Sequence, residues 1–372
     1  MSTAVRAEPA SRPIVGMGAV AATGAGVDEL FESLCTGRAQ RPEWRGAERS
    51  SCSAPRAGQA HDRPVPGTDV PGRAARLLLD AVGQAAADAG LGEDLSGIPV
   101  LVGTGMRDLR PLELWWRDGS PFADSGLGFG SALRERFNVE VTHTFSHACS
   151  ASLYALALAS DLLGQEGEDA LDTVIVAGVD VLAERPLPSG GDSAAAIVLR
   201  RADCRSKRVI GHLRGVAVTH GGPGYTAPSP DGIADVMRSA HQLAGVKASD
   251  VDLVMLHGGG ALGDDEAEAA ALAAVLGEAS SGPLMTAVRS MNGQHSGVSG
   301  LLSLIVGIRA LNQGRVPPSA APGVRADEAA SSPFRFVTGR PADGQRLSVA
   351  QLNAFGLGGI NAVAIVEGTE HP

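Results

Sequence analysis

The 372-residue chain is predicted to adopt an α/β fold with mostly parallel sheets, built from two halves. Predicted buried strands alternate with predicted helices before residue 205, and the same alternation starts again after it. Hydrophobic residues make up 44% of the chain and charged residues 19%, which is typical of a compact globular protein. A chain of this length can form a large core and two structural halves.

The first half begins with a predicted buried strand and glycine turn in "RPIVGMGAVAATG", residues 12–24. An amphipathic helix over residues 26–37 follows, and it ends at a glycine. Residues 38–71 are rich in Arg, Pro, Ser and Gly, so an irregular surface segment is expected there. Residues 72–90 again predict a helix with a glycine stop.

The rest of the first half consists of apolar strands around one apolar helix. The predicted helix covers residues 151–165, and the predicted strands cover residues 98–105, 139–146, 172–181 and 192–200. Short apolar runs bounded by turn residues are typical of buried strands. The cysteine-containing stretch "FSHACSASL" lies where one of these strands meets the helix.

The second half repeats the alternation and closes with two strands. The predicted strands cover residues 208–220, 251–260, 346–356 and 361–367. The predicted helices cover residues 232–245, 264–277 and 297–314. The two long helices, at 150–165 and 298–313, are apolar nearly all round. We therefore expect both to be sandwiched between sheets.

Charge and cysteine spacing exclude several classes of function. A formal net charge of −10 argues against a non-specific nucleic-acid binder, which needs a basic surface. The four cysteines, Cys35, Cys52, Cys149 and Cys204, show no CxxC spacing, so neither a disulfide framework nor a zinc site is expected. No signal-peptide apolar region and no membrane-spanning apolar run is visible, and we expect a cytoplasmic protein without a metal or cofactor.

Cys149 occupies a position that would suit a nucleophile. The amino end of a helix stabilises a thiolate through its dipole and its free N–H groups. Residues 150–152 are small, so a thioester could approach the turn. The alternative is a buried cysteine that serves as a small apolar residue, which is common. The local sequence alone leaves both possibilities open.

His257 ends the strand "VDLVMLH" and is followed by three glycines. A histidine at such a position can point into a cleft, and the glycines let a ligand approach the backbone. A capping or turn histidine is the alternative. The stretch "GGGALG" resembles a phosphate loop, but no Lys-Ser/Thr pair follows, so that possibility is rejected.

Five stretches resemble the β-ketoacyl synthases of the thiolase superfamily, in the order of that family. They are "IVGMGAVAATG" from Ile14, "HACSAS" around Cys149, "HGGGALGDDEAEA" from His257, "RSMNGQHSG" from Arg289 and "NAFGLGGINA" from Asn353. The resemblance implies a thiolase-like, five-layer αβαβα fold of two similar halves, usually a dimer. Residues 1–204 would carry the cysteine, residues 205–372 the histidine and the glycine-rich loop, and the site would lie between them.

The resemblance also implies residue roles. Cys149 would accept an acyl group, and His257 would assist decarboxylation of an extender or polarise a thioester carbonyl. The backbone N–H of Leu357, where the family has Phe, would join that of Cys149 in an oxyanion hole. The supporting glycine-rich loop would contain Phe355, Gly356, Gly358 and Gly359.

The third catalytic position departs from the family motif Lys-Ser-x-x-Gly-His. Arg289 replaces the lysine, Gln294 stands where the histidine belongs, and His295 lies one residue later. A one-residue shift turns a side chain by about a hundred degrees, although a local bulge would bring His295 back. Glutamine donates hydrogen bonds but shuttles no proton, so decarboxylation is the step most affected. Asp264 would pair with Arg289 behind the site.

These expectations lead to one main function and one alternative. The main one is a ketosynthase-like acyltransferase that loads Cys149 from acyl carrier protein or CoA. It would transfer the acyl group, either by Claisen condensation with a malonyl-type extender or by plain acyl transfer, in polyketide or fatty-acyl biosynthesis. The alternative is a non-elongating, chain-length-factor-like partner subunit, which the retained Cys149 and His257 disfavour. The partners would be a carrier protein or acyl-CoA and a second ketosynthase-like chain, with neither nucleic acid nor a membrane.

Overall fold

The computed structural model describes thirteen stretches of the chain. They cover residues 11–21, 23–37, 72–105, 107–121, 123–168, 170–181, 192–204, 208–220, 229–259, 262–292, 296–319, 333–356 and 358–369. The predicted irregular segment at 38–71 lies outside the described residues.

Strands and helices alternate along the described chain as the sequence predicts. Their bounds are β1 (Arg12–Ala21), α1 (Val27–Cys35), α2 (Arg73–Asp88), β2 (Val100–Gly103), α3 (Arg110–Asp118), α4 (Gly130–Phe137), β3 (Thr142–Phe145), α5 (Ala151–Leu162), β4 (Thr173–Asp180), β5 (Ser193–Arg200), β6 (Gly211–His220), α6 (Pro230–Ala244), β7 (Leu253–Met255), α7 (Leu262–Leu276), β8 (Leu284–Thr286), α8 (Arg289–Asn292), α9 (Ser299–Gln313), β9 (Arg335–Phe336), β10 (Val349–Gly356) and β11 (Ile360–Gly368).

The strands form a continuous sheet in the order β3-β2-β4-β5-β1-β6-β11-β10-β7-β8-β9. The first five strands of the chain lie on one side and the last six on the other. They meet where the start of β1 pairs with the start of β6, over three residues of each strand. The C-terminal ends of the parallel strands β2 and β3 lead toward the stretch that contains Cys149.

The expectation of mostly parallel sheets is wrong. Among the described strands, β4–β5, β5–β1, β1–β6, β6–β11 and β10–β11 pair antiparallel, which is as many pairs as are parallel. For β10 and β11 the reason is the length of the connection, because only three residues separate Gly356 from Ile360. Antiparallel neighbours need only a turn, whereas parallel neighbours need a long crossover connection.

Three apolar clusters place the helices in layers around the sheet. One cluster joins α2 to one face of the first-half strands, and another joins α6 and α7 to a face of the second-half strands. The largest lies between the two halves and contains α5 and α9. The order of layers is therefore α2, sheet, α5 with α9, sheet, α6 with α7, which is the five-layer arrangement that the resemblance implies.

The two central helices are buried because both sides of each face apolar strands. Every residue of α9 from 299 to 308 is buried. A Cβ atom on Gly300 would lie 2.6 Å from Leu153 Cγ, so glycine lets α9 approach α5 closely. Among the helices that the structure describes, none is long and apolar enough to cross a membrane.

Candidate active site

Cys149 lies on a strained turn between β3 and α5. The residue before it, Ala148, has a φ of +47°, a left-handed conformation that is uncommon for a residue with a side chain. Ser150 Oγ lies 2.9 Å from the carbonyl oxygen of His147 and 3.0 Å from that of Ile360, which ties the turn to β11. Cys149 is partly exposed and forms no disulfide. Strain of this kind concentrates at functional sites.

His257 follows β7 and is buried next to the end of β10. Burial, and then the charge of Arg289, hold the pKa of His257 well below its usual value, so the ring is neutral at neutral pH. The backbone N–H of Phe355 donates to His257 Nδ1 over 3.1 Å. Nδ1 therefore accepts, and in a neutral ring the proton is on Nε2. The Phe355 ring lies 5.4 Å from the imidazole, centroid to centroid.

Arg289 lies between the cysteine and the histidine. Its Nη2 donates to Cys149 Sγ over 3.2 Å, and its Nη1 donates to the carbonyl oxygen of His257 over 3.3 Å. Nη1 is also 2.9 Å from both imidazole nitrogens. Only one ring nitrogen of a neutral histidine can accept, and the Phe355 N–H identifies it as Nδ1. A buried guanidinium thus contacts both candidate catalytic side chains.

Asp264 lies in the first turn of α7, close enough for its charge to interact with that of Arg289. Burial raises the pKa of the Asp264 carboxyl, and the guanidinium of Arg289 opposes that rise. A Cβ atom on Gly259 would lie 3.2 Å from Asp264 Oδ2, so the carboxylate also packs against the glycine turn after His257. The charges of Asp264 and Arg289 thus interact, and their direct ion pair stays a prediction.

Glu268 holds the His257 turn, and the sequence analysis missed it. Its Oε1 accepts the backbone N–H of His257 over 2.8 Å and its Oε2 that of Gly258 over 3.0 Å. The side-chain amide of Asn353 also donates to Oε1 over 2.8 Å. Burial raises the pKa of Glu268, and these three hydrogen bonds oppose the rise. The available signal was the spacing from Asp264, since residues four apart share one face of a helix.

The profiles of two known domains match most of this chain. The β-ketoacyl synthase N-terminal domain matches residues 13–222, and the β-ketoacyl synthase C-terminal domain matches residues 210–321. The chain belongs to the β-ketoacyl synthase family. The contact of Arg289 with Cys149 and His257 thus lies in a member of this family.

Curated relatives are much longer polyketide synthases. A phenolphthiocerol/phthiocerol polyketide synthase chain from Mycobacterium bovis is 30% identical over 258 residues, which is 59% of this chain and 14% of that protein. The erythronolide synthase EryA2 from Saccharopolyspora erythraea is 29% identical over 338 residues, or 78% of this chain and 9% of that protein. The chain therefore spans only a small part of the length of these relatives.

Solved ketosynthases share the fold. The ishigamide ketosynthase/chain length factor covers 97% of this chain and 100% of its own, with 25% identity and a TM-score of 0.78. A β-ketoacyl synthase from Burkholderia phymatum, 19% identical, covers the same shares with a TM-score of 0.80. A ketosynthase structure solved with its type II polyketide synthase acyl-carrier protein is 18% identical, again with the same shares, and has a TM-score of 0.77.

A second buried acid, Asp180, ties the two halves of this ketosynthase together beside the cysteine. At the end of β4, its Oδ1 accepts the backbone N–H of Gly105 over 2.7 Å, and its Oδ2 accepts that of Val298 over 2.9 Å. Burial raises the pKa of Asp180 to about 6, although these hydrogen bonds oppose the rise. The sequence analysis missed Asp180 as well, and its signal was an acid at the end of an apolar strand.

Several predicted site residues fall outside the described part of the chain. These are Gln294, His295 and Leu357, so their roles stay predictions. The glycine-rich loop around Leu357 is described on both sides, and Gly358 and Gly359 have positive φ values of 84° and 74°. A Cβ atom on Gly356 would lie 3.2 Å from both the carbonyl oxygen of His147 and Ser150 Oγ, so this loop packs against the cysteine turn.

No group of three His, Cys, Asp or Glu side chains suited to a metal ion occurs among the described residues.

Proposed function

We propose that this chain is a ketosynthase-like acyltransferase that loads an acyl group from acyl carrier protein or CoA onto Cys149. The observation that carries the proposal is the position of Arg289, which donates to Cys149 Sγ while it contacts His257. A nucleophile, a fixed cation and a histidine with an N–H available for a ligand are the groups that acyl transfer through a thioester needs.

In the loading step, Cys149 first gives up its thiol proton to water, and the thiolate then attacks the carbonyl carbon of the incoming acyl thioester. A C–S bond forms, and the carbonyl π electrons move to oxygen to give a tetrahedral oxyanion. The oxyanion then collapses, the bond to the carrier sulfur breaks, and the carrier thiolate takes up a proton from water. Arg289 Nη2 donates to Cys149 Sγ over 3.2 Å, so it would hold the sulfur in position for this attack.

The proposed role of His257 is to hold the carbonyl oxygen through its Nε2–H. A neutral imidazole with Nδ1 already occupied is a hydrogen-bond donor at Nε2 and has no acceptor left for a proton. The backbone N–H groups of Cys149 and Leu357 would complete the oxyanion hole, as the resemblance implies. Gln294 would add an amide donor.

The loaded acyl group would then pass to a second substrate. A malonyl-type carbon nucleophile would give Claisen condensation, and an amine, alcohol or thiol would give plain acyl transfer. We place the reaction in polyketide or fatty-acyl biosynthesis, in the cytoplasm. The working form would be a homodimer, or a heterodimer with another ketosynthase-like protein. Residues 1–204 would supply the cysteine, and residues 205–372 the histidine and the glycine-rich loop.

Intact-protein mass spectrometry tests the loading step. The protein is incubated with short, long and aromatic acyl groups on acyl carrier protein and on CoA. We expect the mass of one acyl group to be added to the wild type, none to Cys149→Ala, and the wild-type amount to Cys204→Ala. The Cys204 variant is the matched control because Cys204 is a partly exposed free cysteine away from the site. If no donor adds mass to the wild type, the proposal is wrong.

Carbon dioxide release separates condensation from plain acyl transfer. The acylated protein is mixed with malonyl carrier protein, and carbon dioxide and the carrier-bound product are measured. Release that depends on Cys149 supports condensation. Loading without release, followed by transfer to an amine, alcohol or thiol, supports plain acyl transfer.

One observation favours a second candidate, the non-elongating partner subunit. The Arg289 side chain lies against Cys149 Sγ and the His257 ring, where an extender would have to approach. One structural relative is a ketosynthase/chain length factor, at 25% identity. This candidate predicts that the wild type takes no acyl group but stably binds an active ketosynthase, which size-exclusion chromatography would detect.

A further inference from the structure

A row of buried polar side chains leads from the surface helix α6 to the turn that holds His257. On β10, Gln351 and Asn353 lie on the same face as Phe355, because side chains alternate along a strand. Phe355 belongs to the apolar cluster of α6 and α7, whereas Ala350, Leu352 and Ala354 belong to the cluster around α9. The two amides are 0% and 3% exposed, within a layer that is otherwise largely apolar.

The row is joined by short hydrogen bonds. His241 Nε2 on α6 lies 2.7 Å from Gln351 Oε1, and Gln351 Nε2 donates to Asn353 Oδ1 over 2.9 Å. Asn353 Nδ2 donates to Glu268 Oε1 over 2.8 Å, and Glu268 accepts the backbone N–H groups of His257 and Gly258. Four buried side chains thus connect α6, β10 and α7 to the turn after β7.

The chain of donors runs in one direction. Glu268 accepts from Asn353 Nδ2, so Asn353 Oδ1 must accept from Gln351 Nε2, and Gln351 Oε1 is left to accept from His241. His241 must therefore carry a proton on Nε2. Burial lowers the pKa of His241, although the hydrogen bond with Gln351 and the charge of Asp250 oppose this, and a lower pKa favours the neutral ring. A neutral imidazole has a single N–H, which here is on Nε2.

We propose that His241 and Gln351 are positioning residues that act through Asn353 and Glu268 to fix the His257 turn. The proposal deepens the proposed function, since it identifies what holds the histidine in place for acyl transfer. Buried polar side chains in an apolar layer are costly unless each is satisfied, so the row is stable only in this one orientation. Without the His241 Nε2–H, the side-chain amides of Gln351 and Asn353 could rotate, and the Asn353 oxygen would then face the Glu268 carboxylate.

The test uses the full chain and three variants of α6. His241→Leu removes the donor, and His241→Gln retains an N–H at a similar reach. Ile233→Ala, two helical turns earlier and also fully buried, creates a cavity in the same cluster without touching the row and is the matched control. Hydrogen exchange measured by mass spectrometry follows the peptide that contains the amides of His257 and Gly258. Turnover of the best acyl donor is measured in parallel.

We expect His241→Leu to speed exchange in that peptide on the order of tenfold, because a hydrogen-bonded anchor is lost. His241→Gln should restore slow exchange, and Ile233→Ala should leave this peptide unchanged while it lowers the overall melting temperature. Turnover should fall in kcat for His241→Leu, with KM close to that of the wild type, and recover in His241→Gln.

Unchanged exchange in His241→Leu, or equally fast exchange in His241→Gln, would overturn the proposal. Equal acceleration in Ile233→Ala would overturn it too, because any loosening of the cluster would then suffice. The exchange measurement needs no substrate, so it gives a result even if no donor loads Cys149. Failure of the proposed function and failure of the positioning role therefore have separate signatures.

Discussion

Replacement of Asp180 by asparagine removes a carboxylate that joins β4 to the start of α9 and to the segment after β2. The Asp180 oxygens accept from the backbone of Gly105 and Val298. The same junction supports the site, because Ser299 Oγ donates to the carbonyl oxygen of Cys149 over 3.2 Å. Asparagine has the same shape but accepts at only one atom. We therefore expect Asp180→Asn to leave one backbone N–H without a partner, at a cost of about 1–3 kcal/mol.

The pH dependence gives a sharper expectation. Burial raises the pKa of Asp180 from 3.8 to about 6, so the folded protein holds this proton more tightly than the unfolded chain does. The resulting stability is fully present below pH 3.8 and is lost as the pH rises through 6. A difference of roughly two pKa units corresponds to about 3 kcal/mol, with a slope of about 1.4 kcal/mol per pH unit between the two values.

Urea unfolding of the wild type and Asp180→Asn between pH 4 and pH 7 measures this term. The free energy of unfolding of the wild type, minus that of the variant, should fall by about 2.4 kcal/mol from pH 4 to pH 7, because part of the full difference is already lost at pH 4. Asp235→Asn, at an exposed position on α6, is the control and should show no such change. A wild-type minus Asp180→Asn difference that stays constant, or rises with pH, would refute the reasoning.

Three further predictions concern the same region. Arg289→Met should slow the alkylation of Cys149 by iodoacetamide by about one to two orders of magnitude, because a charge-assisted hydrogen bond to sulfur is lost; an unchanged rate in a mass-spectrometric time course would contradict this. Gly300→Val should lower the free energy of unfolding by about 1–3 kcal/mol, because its Cβ would clash with Leu153 on α5. An unchanged free energy in urea unfolding would show that α5 and α9 can move apart without cost. Glu268→Gln should lower the melting temperature, because an amide nitrogen would face a backbone N–H of the His257 turn. An unchanged calorimetric melting temperature would contradict the stabilising role of these two hydrogen bonds.

Much of the fold follows from the sequence, because its signals are local or come from a strong resemblance. The two central helices are apolar nearly all round, which predicts burial on all sides, and α5 and α9 are indeed buried between the two sheet layers. Strand direction is different, because a short apolar run has the same composition in a parallel and an antiparallel pair. The sequence predicts no helix between the strands at 172–181 and 192–200, and that is a sign that the second strand returns antiparallel. Helices α3 and α4 were not anticipated in the stretch before Cys149.

The sequence predicts those residues of the candidate site that belong to a recognisable motif. It does not predict residues whose importance comes only from contacts between distant segments. Cys149, His257 and Arg289 come from motifs far apart in the chain, and the structure brings them within hydrogen-bond distance. Glu268 and Asp180 were missed because each binds backbone N–H groups of another segment, and a single acid carries no periodic signal. Asp180 partners Gly105 and Val298, which lie 75 residues before it and 118 after it.

The geometry also changes the question that Gln294 raises. A guanidinium does not give up its proton, and His257 has a lowered pKa with Nδ1 already accepting, so both side chains act as donors and neither is a general base. Loading needs no base once the thiolate exists. In decarboxylation of a bound malonyl thioester, the C–C bond electrons move into the enolate as carbon dioxide leaves, and the enolate oxygen needs hydrogen-bond donors rather than a proton acceptor. His257 Nε2–H, with Arg289 beside it, would meet that need. A glutamine in place of the third histidine would then still supply a hydrogen-bond donor. Carbon dioxide release measured with Gln294→Ala against the wild type would show how much that donor contributes to the rate.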